Sequence, residues 1–164
     1  MAKRPSVPWS VSGDVTVSAT KFLVSASPST RWLVAIGVAI AIVALSVVPG
    51  KPEPGDNAFV WAVAKTPTLL QKSMHVVVYG AFTLVLAWAL TASRRSLAVA
   101  GLIATALAVT FGAFLEAAQL YVPGRFGNLY DIGLNGAGAL AGLLAVISLH
   151  KQHVQRHPRN HADR

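Results

Sequence analysis

Residues Phe114–Gly142 read FLEAAQLYVPGRFGNLYDIGLNGAGALAG. Both ends of this stretch are apolar enough for lipid, yet it holds Glu116, Gln119, Arg125, Asp131 and Asn135. An ionisable group at the centre of a membrane helix costs about 2.5–3.5 kcal/mol on insertion scales, and less near the interface. Residues that expensive need a reason, and the rest of the chain supplies the frame for finding it.

The chain has 164 residues, 54% of them hydrophobic and 12% charged, with a positive mean hydropathy. A soluble domain normally carries about twice that charge. The deficit comes from four long apolar blocks, roughly Trp32–Val48, Met74–Ala92, Leu97–Leu120 and Ile132–Leu149. Each has about the length an α-helix needs to cross the hydrocarbon core. Continuous apolar runs of this length are not barrel strands, and only helices or closed barrels satisfy their backbone in lipid. The fold expected is therefore all-α, a polytopic bundle of four transmembrane helices. The first block follows a basic lead-in of 31 residues and precedes no clear cleavage site, so it reads as a retained span. Absence of cysteine excludes disulfides and thiolate chemistry. The net charge of +8 sits beside the apolar blocks, not along one amphipathic face, which argues for orientation in a membrane and against nucleic acid.

Lys3, Arg4, Lys21 and Arg31 precede the first span, Arg94 and Arg95 lie in the second connection, and Lys151, Arg156, Arg159 and Arg164 follow the last span. The other two connections hold only Lys51, Lys65, Lys72 and Arg125. The positive-inside rule then places both termini in the cytoplasm of a cell with this protein in its plasma membrane. Residues 1–31 read as a flexible basic arm, 32–149 as the membrane domain and 150–164 as a flexible tail. The four tail histidines lack a fixed scaffold and are not read as a metal site. Ala58–Lys65, in the first outer connection, has the character of a short interfacial helix.

In this frame the polar positions acquire depths and faces. Lys72, His75 and Tyr79 are spaced i, i+3, i+7 and share roughly 60° of helical arc. Glu116 and Gln119 are i, i+3, and Asp131, Asn135, Gly138 and Gly142 form a stripe on the last helix. At 1.5 Å per residue, His75, Glu116, Asp131 and Asn135 all fall within about 10 Å of the outer boundary. Gly138 and Gly142 make a small-xxx-small pair suited to close helix approach. Bland alternatives exist for each residue. Asp131 can belong to a capping box with Asn128, Glu116 and Arg125 can form an ion pair, and Asn135 can be interhelical glue. Lys72 can snorkel, and His75 with Tyr79 can be a satisfied interfacial pair. A shared outer-leaflet pocket explains better why the costly residues occupy one level.

The segment KSMHVVVYGAFTLVLAW resembles the D-K-x-x-H-x-x-x-Y hallmark of VanZ-like membrane proteins, and the opening stretch resembles their E-x-x-Q, P-G-R, D-x-x-x-N-x-x-G-x-x-x-G hallmark. The resemblance covers the last three spans. It places Lys72, His75, Tyr79, Glu116, Gln119, Arg125, Asp131 and Asn135 on motif positions, with Gln71 where the family commonly has Asp. It implies a bacterial cell-envelope protein from a family whose founding member is associated with resistance to the glycopeptide teicoplanin.

Two functions follow as expectations. One is a factor that binds a lipid-linked envelope precursor or lipid headgroup, with Lys72 and Arg125 on phosphate and Glu116, Asp131 and Asn135 on hydroxyl or amide groups. An effect on glycopeptide susceptibility would follow from that binding. The other is an intramembrane enzyme on such a lipid, with His75 as acid or base and Glu116 or Asp131 as its partner, or with all three on a divalent metal. No nucleophile motif accompanies them, and no cofactor is called for. The partners expected are membrane lipids. A channel is disfavoured because the polar groups stop in one leaflet.

Overall fold

The computed structural model describes residues 26–156, so most of the expected basic arm and the end of the tail lie outside the described residues. Among the described residues five helices follow one another: α1 Pro28–Ser46, α2 Ala58–Ala64, α3 Thr68–Thr91, α4 Leu97–Gln119 and α5 Leu129–Arg156. No strand occurs among the described residues. Four of the helices are long and apolar enough to cross a membrane, the last over Leu129–Leu149. The protein is an all-α, multi-pass membrane protein, as expected.

Hydropathy located the spans, but capping sets where they start. The Ser27 side chain accepts from the Thr30 N–H and Pro28 occupies the first turn, so α1 begins four residues ahead of its apolar run. It stops at Ser46, shortly before Pro49. In α3 the polar turn Thr68–Ser73 is helical too, which puts Lys72 inside the helix and not on its edge. The Asn128 side chain accepts from the Tyr130 N–H at the start of α5, which then runs past the apolar stretch to Arg156. Asn57 caps the short interfacial helix α2 through the Phe59 and Val60 N–H groups.

The helices alternate in direction. At one end the Arg31 guanidinium donates to the Thr91 hydroxyl at 3.1 Å and lies over the Trp88 ring, tying the start of α1 to the close of α3. At the other, the Gly50 N–H donates to Pro123 O at 3.1 Å, tying the first connection to the third. The central contacts run among α3, α4 and α5, with α1 laid mainly against α3. Small residues line these seams: Ala89, Ala100, Ala104, Ala108 and Ala139 are wholly buried. Large apolar residues point outward instead, among them Leu33, Ile40, Val77, Phe114 and Leu144, each at least 63% exposed. Such a surface would drive aggregation in water and is the natural exterior in lipid.

The tightest seam is α3 against α5. A Cβ on Gly138 would overlap the Val76 carbonyl and come within 2.9 Å of Val76 Cα; one on Gly142 would reach Gly80 O at 2.7 Å and Thr83 Cβ at 2.9 Å. The Val76 and Gly80 obstacles are backbone atoms, which cannot rotate away. Gly138→Val is therefore expected to destabilise the bundle by at least the ~1–3 kcal/mol typical of overpacking. Thermal unfolding in detergent micelles will register the loss, whereas Gly136→Val, where nothing lies within 4 Å, will leave the midpoint near wild type.

Candidate functional site

Close approach of α3 and α5 brings two polar side chains into contact. His75 Nδ1 lies 2.8 Å from Asn135 Oδ1. An amide oxygen only accepts, so Nδ1 carries the proton in this contact. Asn135 is 1% exposed, and its Nδ2 has no hydrogen-bond partner. Gly112 on α4 makes room for it: a Cβ there would sit 2.9 Å from Asn135 Nδ2 and 2.8 Å from the Tyr79 ring. Tyr79 is likewise buried.

The third helix adds Glu116, 3% exposed, with Oε1 3.9 Å from His75 Nδ1. Its Oε2 accepts from the Asn128 N–H at 3.2 Å. A capping box would assign that N–H to Asp131, three residues on within the same helix. Here the acid comes from α4, so the expected Asn128–Asp131 box is formed with Glu116 in place of Asp131. Asp131 stays in the first turn of α5, where its charge complements the helix dipole, and its Oδ1 is shielded from solvent with no hydrogen-bond partner. One ligand atom each from His75, Glu116 and Asp131 lies within 4.8 Å of the other two. Two ionised carboxylates so close repel by at least about 3 kcal/mol at an effective dielectric of about 20. The arrangement is one that a cation would relieve.

Arg125 does something different from the ion pair considered above. Its Nε donates to Val48 O at 2.9 Å and its Nη2 to Leu45 O at 3.3 Å, satisfying carbonyls at the C-terminal end of α1. Burial pulls its pKa below the ordinary value and the Glu116 carboxylate pushes it back up; the group remains a cation at any pH a protein meets. Two of its donors are committed to carbonyls, so the full fork is not free for a bidentate phosphate contact. Lys72 Nζ lies 4.5 Å from the centre of the Tyr130 ring, a cation–π contact joining α3 to α5.

Beside this cluster opens a cavity of about 220 Å³. Ile42 and Leu45 of α1, Val63 of α2, and Met74 and Val78 of α3 form apolar walls, while Gln71, His75, Gln119 and Arg125 supply polar groups. His75 thus belongs both to the cavity lining and to the carboxylate cluster. Of the eight residues singled out in the sequence, His75, Tyr79, Gln119 and Arg125 line the cavity. Glu116, Asp131 and Asn135 gather around His75, and Lys72 stands apart on Tyr130. Sequence reasoning passed over Gly112, Asn128 as a partner of Glu116, and Gln71 as lining. A glycine four residues before an acid in an apolar span was the one available signal for Gly112.

The His75–Asn135 contact makes a spectroscopic prediction. In chelator-washed protein with ¹⁵N-labelled histidine, the His75 ring is expected as the Nδ1–H tautomer. Asn135→Ala should return it toward the Nε2–H form; an unchanged ring signal would contradict the assigned contact.

A family model for VanZ/LLP1 matches residues 17–150. No curated protein and no solved structure matches the chain. The matched region takes in all four membrane-crossing segments and every residue of the polar cluster, and the chain belongs to the VanZ/LLP1 family.

Proposed function

We propose that the protein binds the headgroup of a membrane lipid, most fittingly a lipid-linked envelope precursor, in the cavity between α1, α2 and α3. The observation that carries this reading is the make-up of the cavity, whose apolar walls run alongside Gln71, His75, Gln119 and Arg125. A lipid has the same division of character. Its tail suits Ile42, Leu45, Met74 and Val78, and its phosphate suits the Arg125 charge and the remaining donors. Lys72, one turn from His75 on α3, adds positive charge nearby. The distribution of Lys and Arg along the chain argues that this end faces the outer leaflet of the plasma membrane, with both termini in the cytoplasm. A glycopeptide such as teicoplanin meets its target on that side, so occupancy of the precursor would alter susceptibility.

One observation favours a catalytic variant of this reading. His75 is oriented by Asn135 and stands 3.9 Å from a carboxylate, the arrangement of a general base with its partner. The test separates the two. Chain reconstituted in nanodiscs is offered a polyprenyl-diphosphate lipid, phosphatidylglycerol or phosphatidylcholine, and both retained lipid and product are followed by mass spectrometry. The diphosphate lipid should be retained in preference to phosphatidylcholine. Val78→Trp, which fills the cavity, should weaken retention at least about tenfold, equivalent to about 1.4 kcal/mol. Retention that ignores Val78→Trp defeats the proposal. A product that disappears in His75→Ala replaces simple binding by catalysis.

A further inference from the structure

We infer that His75, Glu116 and Asp131 form a binding site for one divalent transition-metal ion of the Zn²⁺ or Mn²⁺ kind. Three helices each contribute one donor, and the donor atoms lie within 4.8 Å of one another. Donors about 2.0–2.2 Å from a shared ion can be at most about 4.4 Å apart. His75 Nδ1 and Glu116 Oε1, at 3.9 Å, already satisfy that limit while standing too far apart for a hydrogen bond. They are separated as two ligands of one ion would be.

Asp131 Oδ1 adds a second observation on the same cluster. This oxygen is cut off from solvent and accepts no hydrogen bond, an arrangement proteins avoid unless something else occupies the site. Neither nearby cation makes an ion pair with these carboxylates, although the Arg125 charge is felt at Glu116. Lys72 lies over Tyr130, and Arg125 donates to Leu45 and Val48 carbonyls.

Glu116 is held as an outer shell holds a metal ligand. The Asn128 N–H holds Glu116 Oε2 and leaves Oε1 toward His75. Asn135 holds the imidazole with its Nδ1 edge turned to Glu116, so an ion on Nδ1 takes the place of that hydrogen bond. Binding releases the Nδ1 proton to solvent and frees the Asn135 amide oxygen from the imidazole. One imidazole with two carboxylates suits Zn²⁺ or Mn²⁺ better than the all-oxygen sites of Ca²⁺ and Mg²⁺. The site shares His75 with the neighbouring cavity, but ion binding is read without any ligand in that cavity.

The tail carries His150, His153, His157 and His161, so the test is made in the full chain with those four changed to Ala. His75 is then its sole histidine. After chelator treatment and dialysis against Zn²⁺, this protein in micelles should retain about one ion per chain, and Glu116→Gln or Asp131→Asn should each weaken binding at least about tenfold, the lower end of what even an outer-shell loss costs. Loss of the ion with the tail histidines, or undiminished binding in both carboxylate variants, overturns the site. A second readout needs no change in the cluster. Mn²⁺ bound to the tail-substituted chain should show electron spin-echo modulation from an imidazole nitrogen, and its absence overturns the site as surely.

Discussion

Everything at the polar end of this bundle depends on how closely α3 and α5 approach. Lipid removes the hydrophobic drive between helices, leaving van der Waals contact and hydrogen bonds to hold them. Contact of that kind is strong only when backbones nearly touch. Gly138 and Gly142 permit this by presenting no side chain to Val76, Gly80 and Thr83. His75 precedes Val76 in sequence, and Asn135 lies three residues before Gly138, so the seam that joins the backbones also delivers the 2.8 Å side-chain contact. Push the helices apart by one methyl group and the imidazole loses the amide that orients it.

The second constraint is the obligation to satisfy helix ends where water is scarce. α1 ends with exposed carbonyls, and Arg125 reaches Leu45 and Val48 from a connection some eighty residues later in the chain. Its positive charge also suits the negative end of the helix dipole. α5 begins with N–H groups needing acceptors, and Glu116 supplies one from α4 while Asn128 supplies another locally. Gly124, at φ +72°, gives the turn that aims Arg125 back at α1. The same residues that close the helix ends therefore also wall the cavity and the cluster. Cavity and cluster share the end of the bundle where the connections meet.

Much of this was legible in the sequence because lipid simplifies the code. Long apolar runs can only be helices there, and polar residues at one depth on three helices have few places to go but toward one another. Hence the bundle, the His75–Asn135 approach and the grouping with Glu116 and Asp131 could be anticipated from spacing. Partner identity could not. Glu116 had two plausible claimants in Arg125 and His75, and periodicity ranks neither, because Arg125 lies in a turn whose direction depends on Gly124. The cap of Asn128 looked local when the second acid came from a neighbouring helix. Helix starts were misplaced by a few residues at Pro28 and Thr68, since hydropathy sees where lipid begins, whereas Ser27 and Pro67 decide where the helix does. The cavity was least legible: it draws on α1 and α2, which carry no polar motif.

Structural duty alone does not account for the chemistry chosen at these positions. Capping Asn128 needs one acceptor oxygen, and a glutamine at 116 would offer it without bringing a charge into a 3% exposed site. Favourable charge at the start of α5 needs only an exposed acid, yet Asp131 Oδ1 is turned to where neither water nor a donor meets it. Asn135 can glue two helices in either orientation of its amide, yet its oxygen accepts a hydrogen bond from the one histidine of the membrane domain. Each of these choices exceeds what folding asks of the position, and all three excesses meet around the same imidazole. Residues that cost more than their structural role requires, gathered at one point, are what make this cluster the candidate site.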